Sequence, residues 1–490
     1  MEAGPPPRYD MSVPRGDDAF EPAPSREGCC VFWFEVAGCL SAAPCGWLRF
    51  GVQFVCCSLR EFCVLCILHD GDARMGAIER LMRRVADGVP RELRALQLAT
   101  DVTARIPMLR HVHLALSGRG VNACDARAEV GGGEWIWLDR RRSPLEILAA
   151  PKEERRLVFY VHGGAFVLCN AATHRAMTCN VARVTGALVL AVDYRRPPEH
   201  KFPTALEDVV EAYRFISTRF QPERIIVAGE SAGGNLAVAL CLRLSQLGAP
   251  MPGGLILMSP WTDLSDRSFP SWDKCKDYLP PDLIAAFAEA YVGSEDARQE
   301  LVSPLYSGSL RVLPQTLLVY GSGESLAGQF RRFEEALRSS GVSLSTYVGP
   351  GQVHAFPVYA DITYGSLGQA TVMAAALASA ASLLALVAAF VAFVAAAVGT
   401  PARVVQLVVV CAIAFAAAQV LLAWLRKAHL RDTMDMVGSE TSGSSIGSDL
   451  DGEDESLSEG TQSGDERPPP FEAYRQIGVF AGQVWSCPDL

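Results

Sequence analysis

From Leu157 onward the chain repeats one pattern: a short run rich in β-branched and aromatic residues, then a stretch long enough for a crossover helix. The runs are LVFYVHGG, ALVLAVDY, RIIVAGES, GLILMSP and TLLVYGS. Runs that are apolar throughout, without in–out alternation, are strands covered on both faces. Regular β–α alternation then predicts an α/β fold with a mostly parallel sheet and helices on both sides. Upstream, AEVGGGEWIWLDR reads as a strand pair around a glycine turn. Before it, Gly76 to about Arg110 alternates charged and apolar residues at helical spacing, the pattern of amphipathic helices that could lie over the sheet as a cap or lid.

Two positions in this alternation carry chemistry. Gly229-Glu230-Ser231-Ala232-Gly233 follows the strand-like RIIVA and precedes NLAVALCLRL, whose apolar spacing is helical. Small residues on both sides of Ser231 permit the sharp strand-to-helix turn that exposes a serine hydroxyl. Glu230 reads as a turn residue. His162-Gly163-Gly164-Ala165-Phe166 follows LVFYV, and its paired glycines let backbone N–H groups approach a ligand closely. Gly163 and Gly164, with Ala232, are the expected donors to an oxyanion.

A serine hydroxyl needs a base, and the base needs an orienting carboxylate. His354, in GPGQVHAF, is the histidine between Ser231 and the apolar C-terminal stretches. Glu324 follows the run TLLVYGS, at the strand end where α/β sheets place their chemistry. Asp263, after LILMSPWT, is the alternative acid. Ser231, Glu324 and His354 also occur in the chain order Ser, acid, His that this kind of sheet uses. No cofactor or metal is expected. Cys63 and Cys66 have C-x-x-C spacing, but no second pair or histidine cluster follows at zinc-site distance.

As a set, HGGAF, DYRRPPEHKFPTALEDV, GESAGGN, SPWTDLS, SPLYS, GSGES and VHAF resemble the hormone-sensitive-lipase-like branch of the α/β-hydrolases, over about Glu134 to Tyr359. The resemblance implies an eight-stranded, mostly parallel sheet under an N-terminal helical cap, no cofactor, and hydrolysis of carboxylic esters. It maps the nucleophile onto Ser231, the base onto His354, the acid onto Glu324 and the oxyanion glycines onto Gly163 and Gly164. There are two departures. Relatives usually carry a second Asp four residues after the acid, where this chain has Gly328, and the DYRLAPE-like stretch here reads Asp193-Tyr194-Arg195-Arg196-Pro197-Pro198-Glu199. The alternatives to an esterase are a non-catalytic small-molecule receptor or membrane scaffold on the same fold, or an amidase or deacetylase using the same groups.

Outside that region the sequence divides by composition. Residues 1–28 read as a disordered leader and 29–70 as a Cys-rich apolar segment, membrane-associated or packed. Residues 71–130 are expected to form the cap helices and 131–365 the catalytic domain. Eight of the fifteen cysteines crowd into the apolar segment, the setting of reduced thiols and of S-acylation more than of a disulfide framework. Within 370–425, Thr371 to Val398 and Val404 to Leu425 are each long and apolar enough to span a bilayer. Arg426, Lys427, His429 and Arg431 follow, a basic cluster that places the return end of such a hairpin in the cytosol. The catalytic domain and tail are then expected on the cytosolic face. Residues 437–470 read as acidic and disordered, and 471–490 as a C-terminal tail. The run Glu440 to Glu466 holds nine Asp/Glu and no Lys or Arg, which accounts for most of the net charge of −10. Apart from that short juxtamembrane cluster no basic patch is expected, and nucleic acid is excluded as a partner; an ester substrate and a membrane remain.

Overall fold

In the computed structural model the described residues are 151–268, 277–360 and 469–486, with 122–126 and 132–138 ahead of them and scattered positions from 76 to 101 and from 147 to 150. The elements are β1 (Asn122–Asp125), β2 (Gly133–Trp137), β3 (Leu157–Val161), α1 (Arg175–Thr185), β4 (Leu188–Val192), α2 (Thr204–Ser217) and β5 (Ile225–Glu230). They continue with α3 (Ala232–Gln246), β6 (Gly254–Met258), α4 (Pro281–Val292), β7 (Thr316–Gly321), α5 (Ala327–Ser339), β8 (Leu344–Gly349) and α6 (Pro469–Ser486). The strands form one sheet in the order β1-β2-β4-β3-β5-β6-β7-β8. β2 is antiparallel to both β1 and β4, and every pairing from β4 to β8 is parallel.

β3 to β7 are buried along their whole length. Period-two alternation divides their side chains between two cores: Leu157, Phe159 and Val161 of β3 face one, Val158 and Tyr160 the other. The first core takes Val209 of α2, Leu236 of α3, Phe287 of α4 and Phe330 of α5. The second takes Met177 and Val181 of α1 and Ile477, Phe480 and Val484 of α6.

Two boundaries differ from the sequence reading. β1 begins inside the stretch assigned to cap helices, because Asn122–Asp125 pairs with β2. The other difference is larger. Residues 471–490 read as a tail, and the catalytic domain was expected to end at 365; instead α6 belongs to the second core. Ala473, Tyr474, Ile477, Phe480, Ala481, Val484 and Trp485 are all buried, a three-to-four-residue spacing that makes one helical face. Gly254, at the start of β6, has no side chain where a Cβ would come within 2.8 Å of Val484, so the helix can press against the sheet. Trp485 Nε1 donates to Arg224 O at 3.1 Å, and Arg224 donates back to Trp485 O at 3.1 Å. Tyr474 Oη donates to Pro357 O at 3.0 Å, three residues beyond His354.

Among the described residues no helix is long and apolar enough to cross a membrane. The apolar runs at 371–398 and 404–425, the Cys-rich segment, the leader and the acidic stretch lie outside the described residues. Of the positions described between 76 and 101, each is helical. Asp101 pairs with Arg196 at 2.9 Å and accepts from Asn170 at 3.1 Å, and Thr100 Oγ1 accepts from Cys169 N, so Thr100 and Asp101 dock beside the HGGAF loop. That pairing also gives Arg196, a departure from the family pattern, its partner.

The five large apolar side chains of α6 each stabilise by roughly 1.5–3 kcal/mol on burial, a sum comparable to the whole stability of a typical domain. A chain ended at residue 365 is therefore expected to be insoluble or molten. One in which 366–466 is replaced by a flexible linker is expected to keep a cooperative thermal transition. Melting curves of the two variants check this, and a stable, cooperative 1–365 chain would rule it out.

Candidate active site

Ser231 sits between β5 and α3 with φ 52° and ψ −120°, a backbone conformation that L-residues rarely adopt. The flanking glycines make it possible. A Cβ on Gly229 would lie 2.4 Å from Gly233 O, and one on Gly233 would lie 2.1 Å from Val161 O. The turn is pinned by Ser231 N donating to Met258 O at 2.9 Å and by Trp261 N donating to Ser231 O at 2.9 Å.

The three residues expected to act together do meet. His354 Nε2 lies 2.8 Å from Ser231 Oγ, and His354 Nδ1 lies 2.7 Å from Glu324 Oε2. Glu324 Oε1 accepts from Ser259 Oγ at 2.7 Å and from the Gly321 N–H. Both Glu324 and His354 are buried. Burial pushes the Glu324 carboxyl up, with the His354 hydrogen bond pulling the other way. Burial alone would lower the His354 imidazole; the hydrogen bond and charge of Glu324 outweigh it, and the net shift is upward. Asp263, the alternative acid, turns away from this line to Ser265, Tyr306 and Arg332.

The HGGAF loop corrects one assignment. The Gly163 N–H donates to Glu230 Oε1, so it is spent on that carboxylate and cannot serve an oxyanion. Among the described residues the N–H groups of Gly164, Ala165 and Ala232 carry no such bond. Gly164 has φ 102°, with a would-be Cβ 2.3 Å from Leu168 O, and Ala165 and Phe166 follow at φ 54° and 64°. Ala165 and Phe166 thus hold a left-handed backbone that L-residues rarely adopt. Ala165 went unnoticed in the sequence because an alanine gives no hint of left-handed backbone.

Glu230 proves to be more than a turn residue. Its buried carboxylate accepts from Gly163 N–H and Tyr160 Oη and lies 2.7 Å from His174 Nε2. Burial lowers the His174 imidazole, but Glu230 more than offsets this and raises it overall. Burial also pushes His162 down; it stacks on Tyr194 with centroids 4.3 Å apart. Ser259 was missed too: with φ 48°, it donates to Glu324 while accepting from Ala355 N at 3.1 Å, bridging the acid and base loops. Among the described residues no cluster of ligating side chains could hold a metal ion.

Comparison with known proteins gives the family. Residues 158–358 match a family model described as alpha/beta hydrolase fold. An acetyl-hydrolase of Streptomyces hygroscopicus is 35% identical over 211 residues, 42% of this chain and 70% of that protein. An esterase of Acinetobacter venetianus is 35% identical over 218 residues, 44% of this chain and 72% of that protein. A solved hormone-sensitive lipase from a metagenome library aligns at 28% identity and a TM-score of 0.48, covering 61% of this chain and 96% of that one. The chain belongs to the α/β-hydrolase family of these acetyl-hydrolases and esterases, a family of carboxylic ester hydrolases.

The two glycines that differ most in surroundings give a test. A Cβ on Gly163 would lie 2.5 Å from Glu230 Oε1, whereas nothing lies within 4 Å of the position on Gly328. Gly163→Ala is expected to lower the rate of Ser231 labelling by a fluorophosphonate about 100-fold, the scale of a misplacement near 1 Å. Gly328→Asp is expected to leave stability within about 0.5 kcal/mol and labelling unchanged. Equal effects of the two substitutions would contradict the assignment.

Proposed function

We propose that this esterase-class chain hydrolyses apolar or lipid-like carboxylic esters at a membrane, with Ser231 as nucleophile, His354 as base and Glu324 as orienting acid. The observation that carries the chemical part is the unbroken hydrogen-bonded line from Ser231 Oγ through His354 to Glu324. Ser231 Oγ attacks the ester carbonyl carbon while His354 Nε2 takes its proton. Glu324 keeps the other ring nitrogen protonated and stabilises the imidazolium. The carbonyl oxygen, now an oxyanion, receives the N–H groups of Gly164, Ala165 and Ala232, each such donor being worth about 100- to 1000-fold in rate. The imidazolium gives its proton to the departing alkoxide, leaving an acyl-serine. Water, deprotonated by His354, then attacks the acyl carbon, and the carboxylic acid leaves as Ser231 recovers its proton.

A membrane location is supported by the two long apolar runs and the basic cluster after them. Because α6 returns to the hydrolase core, those runs form an insertion within the domain, with Phe356–Tyr359 and α6 packed together at its two ends. A pair of spans would bring the chain back to the catalytic domain, as α6 requires.

The chemical test is hydrolysis of p-nitrophenyl esters from acetate to palmitate by wild type and Ser231→Ala. Activity is expected to vanish in the variant, and persistence would sink the assignment. The base works only when unprotonated, and its proton affinity is raised, so wild-type activity should decline on acidification with a midpoint above about 6.5. A midpoint well below that would exclude His354 as the base.

The membrane part is tested by comparing the full chain with the 366–466 excision on long-chain esters in phospholipid vesicles and on a short soluble ester. Tethering predicts a loss on vesicles alone. Equal vesicle activity of the two proteins would show that the insertion does not deliver substrate.

A further inference from the structure

Gly328 puts no carboxylate at the start of α5, yet Glu324 and His354 are held in line. Gly328 itself is exposed at the start of α5 with open space around it. Support comes from a different direction. Asp277 enters from the segment before α4 and is 1% exposed. Its Oδ2 accepts from Ser325 N at 2.7 Å and from Ser325 Oγ at 2.8 Å, on the residue next to Glu324. Its Oδ1 accepts from His354 N at 3.1 Å and from Tyr278 N at 2.9 Å. The adjacent Tyr278 donates its hydroxyl to His354 O at 3.0 Å and accepts from Tyr359 Oη at 2.8 Å.

Two consecutive residues therefore grip the peptide of His354 at both its N–H and its C=O, while the same carboxylate holds the neighbour of Glu324. Building on the reading of Ser231, His354 and Glu324 as the working groups, we infer that Asp277, seconded by Tyr278, is the positioning residue that holds the acid and base loops in register for catalysis.

The chemistry of the site requires a carboxylate there. Both oxygens face N–H donors, so an amide of the same shape must turn its NH2 group toward one of them and lose that bond. Asp277 also contributes charge. The groups around His354 are Glu324 and Ser325 from the β7–α5 loop, Ser259 after β6, Glu230 and Ser231 at the β5–α3 turn, Phe330 of α5, and the pair Asp277–Tyr278. The charged members, Glu324, Asp277 and the more distant Glu230, are all acidic and favour the imidazolium. Removing the Asp277 charge should therefore make His354 a weaker base.

The test uses full-length wild type, Asp277→Asn and Tyr278→Phe, with p-nitrophenyl butyrate as substrate across about pH 5 to 9 and thermal melting to establish folding. Asp277→Asn is expected to lower kcat roughly 10- to 100-fold, on the scale set by sub-ångström to ångström misplacement, with KM within about twofold. Its acidic limb should move to lower pH. Tyr278→Phe is expected to lower kcat less and leave the limb in place, because it releases a neutral carbonyl. A folded Asp277→Asn protein with wild-type kcat and limb would overturn the inference. So would a loss of activity matching the loss of titratable active sites with the limb unmoved, which is the mark of a purely structural role.

If Asp277→Asn does not fold, Tyr278→Phe decides: reduced kcat at constant KM supports the grip on His354, and unchanged kcat refutes it. If wild type hydrolyses no ester, the esterase reading fails separately. The inference is then judged by NMR titration of His354 in wild type and Asp277→Asn. A lower midpoint in the variant upholds it and equal midpoints reject it.

Discussion

The close approach of two backbone turns underlies the site. The chain leaving β5 passes so near the end of β3 that a side chain on Gly233 would collide with Val161 O and His162 O. Ser231 takes positive φ at this turn, which lies against the HGGAF loop. Glu230 fastens the junction from behind by taking the Gly163 N–H. The strain at Ser231, Gly164 and Ala165 persists because parallel pairing of β3 with β5 fixes both turns from below.

The opposite end of the relay is held in a comparable way by side chains instead of glycines. Glu324 and His354 come from loops after β7 and β8, which pair in parallel, and two polar side chains join those loops. Ser259 reaches both from the end of β6 and Asp277 reaches both from the approach to α4, while Tyr474 of α6 holds the Pro357 carbonyl three residues past His354. Buried polar groups of this kind are stable because each is satisfied by hydrogen-bond partners of matching geometry. Residues far apart in sequence thereby set the position of one imidazole.

α6 alters how the C-terminal half is understood. By composition, the long apolar runs and the acidic stretch end the enzyme and start something else. In the structure they interrupt it, because the last helix of the hydrolase core follows them. The apolar spacing of Ala473, Tyr474, Ile477, Phe480, Ala481 and Val484 was legible, but an 18-residue helix beyond a polar, low-complexity stretch has no local sign of which sheet it covers.

The sequence by itself determined the α/β alternation, the turn at Ser231 and which carboxylate and histidine would meet that serine. These rest on local rules: periodicity, glycine tolerance at sharp turns, and the chemistry a serine needs. It misplaced one oxyanion donor, overlooked Ala165, Ser259 and Asp277, and left α6 as a tail. Only the tertiary structure decided those, because whether an N–H is free or spent, and which loop a buried carboxylate ties to which, depends on groups brought together from 60 to more than 100 residues apart.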